Sequence, residues 1–161
     1  NISLLSQDFC LPFLSIWQNV TLEPDFNNIG NIDKDRLIDA LKKAGIYEEI
    51  NGDIERNTQE LSCGQRHRVA LARAFYFERE VIMLDEATST LDVETEEEIT
   101  QTINRIKGVK TIIAIAHRIK TLKNCDRLVY MDKGEIIATD TLQNLCNNYP
   151  SFKRLVELSS F

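Results

Sequence analysis

The residues best suited to chemistry stand at the ends of two apolar runs. Val81-Ile82-Met83-Leu84 stops at Asp85-Glu86, and Thr111-Ile112-Ile113-Ala114-Ile115-Ala116 stops at His117. An Asp-Glu pair closing a buried strand suits nucleotide hydrolysis. The Asp can hold Mg2+ through its water shell, and the Glu can orient and deprotonate the attacking water. Taken alone, the same pair serves equally well to open the following turn. A second element is Leu61-Ser62-Cys63-Gly64-Gln65. A Ser capping a helix beside a Gly presents backbone N–H groups at the positive helix end, where a phosphate binds readily. As a bare pattern, it is also how ordinary helices start.

The surrounding elements are expected to place these residues along one edge. Two continuous apolar runs read as strands of a parallel sheet, buried on both faces. Between them the spacing predicts a helix from about Val93 to Lys107, capped by Asp92, with Ile99, Ile103 and Ile106 as its stripe. Strand, helix and strand make a βαβ unit, and ligands sit at the carboxyl ends of such strands. A further strand is expected at residues 2–6, and a short helix at 16–20. Asp33 caps a helix over 34–44 that Gly45 stops, and Ser62 caps another that runs to about Phe77. Residues 51–60 read as loop. Residues 128–138 read as a β-hairpin, followed by two short helices near Leu142 and over 152–158.

Composition narrows the class. The 161 residues are ordinary in apolar and charged content, enough for one compact domain. A net charge of −6 argues against non-specific nucleic-acid binding. Cys10, Cys63, Cys125 and Cys146 form no C-x-x-C pair, so they read as free thiols rather than zinc ligands. No apolar run approaches the ~20 residues that span a bilayer.

The order of these elements, with Gln7 ahead of them, resembles the ATP-binding cassette of ABC transporters. Gln7 matches the Q-loop glutamine. Residues 61–65 match the signature LSGGQ, with Cys63 in place of a glycine. Residues 81–86 match the Walker B strand and its glutamate, Ser89-Thr90-Leu91-Asp92 the D-loop, and His117 the switch histidine. Exporters of this family tend to carry DEATSxLD and AHR, as this chain does at 85–92 and 116–118, where importers more often carry DEPTSxLD and THD.

The resemblance implies an α/β fold: an incomplete P-loop NTPase core of the ABC ATPase type, with a parallel sheet and an α-helical signature subdomain. Residues 1–7 would lead to the Q-loop, 8–78 form the signature part, 79–140 run from Walker B past the switch histidine, and 141–161 form the terminal helices. It implies ATP and Mg2+, with Glu86 as catalytic base and His117 on the γ-phosphate. Asp85 and Gln7 would serve the metal, Gln7 also linking it to the transmembrane domain. Ser62, Cys63, Gly64 and Gln65 would grip ATP held by a second nucleotide-binding domain, and Asp92 would reach across that interface. The whole would sit on the cytoplasmic face of a membrane, exporting a lipid, lipid-linked glycan, peptide or drug. The alternatives are a soluble, non-transport ATPase of the same superfamily, or a non-enzymatic fragment.

No G-x-x-x-x-G-K-[ST] loop occurs among the 161 residues. The isolated chain is therefore expected to be inactive, with apolar sheet surface exposed. Elsewhere the bland readings are preferred. His67 reads as a surface side chain. Arg66, Arg68 and Arg73 read as solvated or ion-paired. Phe13 and Trp17 read as packing residues, with contact to a transmembrane domain as the alternative.

Overall fold

The computed structural model describes residues 2–5, 10–11, 13–85, 100–101, 104, 106–115 and 122–158, with Asp85 described by its backbone alone. The chain forms two compact units, Asn1–Ile115 and Ala116–Phe161.

In the first unit, strands β1 (Ile2–Leu5), β2 (Val81–Asp85) and β3 (Thr111–Ile115) form a parallel sheet in the order β1-β2-β3. Leu5 is paired with Leu84, and Asp85 with Ile115, so the three strands end together at one edge. The sheet's burial corrects one expectation. Leu5, Ile82 and Leu84 are buried, whereas Leu4, Ile113 and Ile115 on the opposite face are about half exposed or more. One face, not both, is covered. Helical residues share a core with Leu5, Ile82 and Leu84, and a uniformly apolar run carries no mark of which face that will be. The exposed apolar surface anticipated from the motif inventory is present on the other face.

The helices begin and end where their caps dictate. Helix α1 (Ile16–Thr21) starts at Ser15, which forms a capping box with Gln18. Helix α2 (Lys34–Lys43) starts at Asp33, whose carboxylate accepts from the Arg36 N–H at 3.0 Å. It turns Leu37, Ala40 and Leu41 inward and stops at Gly45, whose φ of +72° is the left-handed conformation favoured at a helix end. The predicted loop at 51–60 ends in a 3-10 turn, Thr58–Glu60. Helix α3 (Cys63–Tyr76) follows, capped by Ser62 as expected.

Trp17, Ile16, Leu37, Leu41, Ile46 and Val69 are fully buried between these helices. Trp17 packs as expected, its ring 5.9 Å from that of Phe26. Phe13 does not: it is 75 % exposed.

A polar knot holds the segment before α1. The Asn19 carboxamide accepts from the Leu11 N–H at 2.7 Å and donates to the carbonyls of Leu11 and Ser15, each at 3.1 Å. The Thr58 hydroxyl donates to the same stretch, and Arg73 of α3 donates to the Asn19 carbonyl at 2.7 Å. Asn19 and Thr58 are buried, so each of these bonds satisfies a group that water cannot reach.

The second unit is a hairpin of β4 (Leu128–Asp132) and β5 (Glu135–Asp140) with two helices, α4 (Leu142–Asn148) and α5 (Pro150–Leu158). The two-residue turn Lys133-Gly134 has φ values of 49° and 82°, the pattern of a hairpin turn whose twist matches the strands. Leu128, Leu145 and Phe152 form its core, with the Tyr130 ring 5.1 Å from Phe152. Among the described residues, no helix is long and apolar enough to cross a membrane.

Candidate functional site

The signature segment lies at the N-terminus of α3. A helix leaves its first N–H groups without intrahelical acceptors. Here Ser62 Oγ accepts from the Gln65 N–H at 3.2 Å, and Gln65 Oε1 accepts in return from the Ser62 N–H at 3.0 Å. This capping box disposes of two donors and leaves the N–H groups of half-buried Cys63 and buried Gly64 without intrahelical acceptors at the N-terminus of a helix 14 residues long. Ser62 itself is exposed, and its hydroxyl proton is not used by the cap. The helix dipole adds partial positive charge at this end. The arrangement therefore suits an anionic group: two amides, one hydroxyl and a favourable field.

The capping box is also what the sequence reading missed. Ser-x-x-Gln is its signature, and it occurs at both Ser62 and Ser15. Cys63 is half-buried at the first helical position, and its Sγ lies 4.0 Å from His67 Nδ1. Cys10, on the segment before α1, donates its thiol to the Arg66 carbonyl at 3.3 Å. Burial pushes the Cys10 thiol up to about 11, so it stays protonated.

One expectation about α3 is corrected and another holds in part. His67 is not a surface residue: it is 4 % exposed. It lies on the face that carries Gly64, Arg68 and Leu71, and its Nδ1 lies 3.1 Å from the Cys63 carbonyl, which satisfies that ring nitrogen inside the helix packing. Of the arginines, expected to be solvated or ion-paired, Arg68 is buried and ion-paired with Glu49 at 2.8 Å. Arg66 and Arg73 turn instead to backbone carbonyls, Arg66 to that of Leu61 at 2.6 Å and Arg73 to that of Asn19.

Burial lowers the His67 pKa, an effect larger than the opposing contact with the Cys63 carbonyl. The unfolded chain then takes up the proton first as pH falls. Stability is full above about pH 6.5, the ordinary histidine value, and declines as pH drops through that value toward the folded one. Urea midpoints measured between pH 7.5 and 5.5 are expected to fall, and His67→Gln is expected to flatten that slope. An unchanged slope in His67→Gln would show that His67 is not the group responsible.

At the sheet edge, β2 delivers the Asp85 backbone beside Ile115. Gln7, Glu86, Asp92 and His117 lie outside the described residues, as does the Asp85 side chain. Among the described residues, no three potential metal ligands come together.

Comparison with known proteins adds the decisive observation. The model of the ABC transporter family matches residues 1–89, more than half of the chain. The chain belongs to the ABC transporter family. Among ABC relatives, the chain is 37 % identical over 154 residues to the ATP-dependent lipid A-core flippase of Francisella tularensis subsp. tularensis (strain FSC 198), covering 87 % of this chain and 25 % of that protein. It is 37 % identical over 144 residues to the flippase of the same name from Bordetella pertussis, covering 85 % of this chain and 22 % of the relative. The chain thus spans about a quarter of the length of the curated relatives it matches. A bacterial Atm1-family ABC exporter, solved with ATP bound, shares the fold with a TM-score of 0.82 over 99 % of this chain and 28 % of the exporter, at 23 % identity. The mixed α/β architecture with its parallel sheet is that of an ABC ATPase.

Proposed function

We propose that the chain is part of the ATP-hydrolysing domain of an ABC exporter. In this reading residues 61–65 hold the γ-phosphate of ATP carried by a second such domain. The observation that carries it is the N-terminus of α3. The Cys63 and Gly64 amides and the Ser62 hydroxyl stand free of the cap that fixes them, within the segment that matches the family signature.

The remaining roles follow from the motif positions. Glu86 takes the proton from the attacking water, and His117 contacts the γ-phosphate. Asp85 and Gln7 serve Mg2+, with Gln7 relaying its state to the transmembrane domain, and Asp92 crosses to the second domain. Residues 8–78 act as the signature part and 79–140 as part of the ATPase core. Coupling to export at the cytoplasmic face of a membrane agrees with the exporter-type motifs and with the flippases among the relatives. Without a phosphate-binding loop of its own, the 161-residue chain alone is inactive in this reading.

Cys63 supplies the test. In an assembled pair of domains carrying this sequence, with Glu86→Gln to hold ATP uncleaved, closure would cover residues 61–65. Maleimide labelling of Cys63 is expected to slow more than about tenfold on adding ATP, which needs the closed pair favoured by only ~1.4 kcal/mol. Cys125 and Cys146, in the other unit, should label at unchanged rates and serve as internal references. Equal Cys63 rates with and without ATP would remove residues 61–65 from the nucleotide interface.

A further inference from the structure

The N-terminus of α3 is held by a chain of contacts that starts outside the signature. Ile46 and Ile50 are buried and fix the backbone on either side of Glu49. From there the Glu49 carboxylate reaches α3 at two points one turn apart. Arg68 Nη2 donates to Oε2 at 2.9 Å and pairs with Oε1 at 2.8 Å, and Gln65 Nε2 donates to Oε2 at 3.1 Å. The Arg68 side chain is 7 % exposed, which pins the carboxylate in place.

The chemistry of this chain is directional. A primary amide has a donor end and an acceptor end, whereas an ionised carboxylate only accepts. Glu49 therefore selects the NH2 end of Gln65 and turns its carbonyl oxygen toward the Ser62 N–H, where it accepts at 3.0 Å. With the amide reversed, an NH2 group would face the Ser62 N–H, and the capping box would be lost.

We propose that Glu49 is a positioning residue for the α3 N-terminus: it sets the orientation of Gln65, and through Gln65 it holds Ser62 and the first helical amides in place. Its consequence for phosphate binding rests on the function proposed above; the capping relay itself does not.

The test uses the 161-residue chain without nucleotide and reads exchange of the Ser62 amide hydrogen by NMR. Glu49→Ala is expected to speed that exchange by roughly tenfold, the size of one hydrogen bond to a charged group. In a Gln65→Leu background, Glu49→Ala should add nothing further, because the relay is already cut. The urea midpoint of each variant, and exchange of the Val69–Phe75 amides, report the fold as a whole. Glu49→Gln, which keeps an oxygen for Arg68, replaces Glu49→Ala if the latter unfolds. The proposal is overturned if Ser62 exchange does not change, if it rises only in step with the rest of α3, or if the Glu49 effect persists with Gln65→Leu. Such a failure leaves the phosphate reading intact, and equal Cys63 labelling would leave this one intact.

Discussion

Replacing Glu86 with glutamine is expected to cut ATP turnover by about 10^2–10^4-fold in an assembled pair of domains, the range that general-base removal gives. Binding of ATP should survive. The argument is chemical. Glu86 is the first residue after β2, which ends at Asp85 level with Ile115 of β3. The carboxyl edge of a parallel sheet is where such folds hold their ligands. A carboxylate there can accept a proton from water, whereas a carboxamide of the same shape cannot. Asp85, Ser62 and Gly64 are untouched by the change, so the contacts assigned to metal and phosphate remain. Steady-state phosphate release and equilibrium binding of a fluorescent ATP analogue, measured side by side, separate the two effects. Turnover within a few-fold of the parent would take the base role away from Glu86. Loss of binding together with turnover would instead assign Glu86 to holding the nucleotide or the fold.

The elements that carry these residues were legible because their signals are local. Ser62 announced its helix through cap chemistry, Gly45 ended α2 by its tolerance of positive φ, and the apolar run at 81–84 marked a strand. What stayed hidden depends on partners far along the chain. Nothing near Glu49 foretells that it meets Gln65 and Arg68, 16 and 19 positions on. Arg73 and Asn19 are 54 positions apart. His67 was misread because its polarity was weighed above its place on a helix face already carrying Gly64 and Leu71. The β3 run, apolar at nearly every position, gave no alternation from which to choose the covered face. The signature segment was recognised by its residues. Its cap, equally local, required a count of three from Ser62 to Gln65.

Trp17→Ala is expected to destabilise the first unit by about 3–5 kcal/mol, a large share of the 5–15 kcal/mol typical of a domain. Trp17 is fully buried, packs its ring at a tilt against Phe26, and follows Phe13 by four residues, yet Phe13 is 75 % exposed. Deleting the indole leaves a cavity among α1, α2 and α3 that Ile16, Val20 and Leu37 cannot all move to fill, since they too are fully buried. Trp17→Phe should behave differently. Among the described residues, the indole Nε1–H is buried without a hydrogen-bond acceptor, so it lowers stability where it stands. Phenylalanine removes that donor and keeps most of the ring, so its cost should stay below about 1.5 kcal/mol. Phe13→Ala is the surface control and should fall within about 0.5 kcal/mol of the parent. Urea unfolding of the three variants, followed by far-ultraviolet circular dichroism, gives the comparison directly. If Phe costs as much as Ala at position 17, the indole N–H is hydrogen-bonded in solution. If Ala costs under about 1 kcal/mol, Trp17 does not hold the helices together. The link to function runs through α1: Trp17 anchors the helix whose Asn19 ties down Leu11 and Ser15, just beyond Gln7 in the chain. Loosening that anchor frees one end of the segment while the α3 cap, built from Ser62, Gln65 and Glu49, keeps its own bonds. The Ser62 amide should therefore exchange at the parent rate in Trp17→Phe and accelerate in Trp17→Ala only as the whole unit opens.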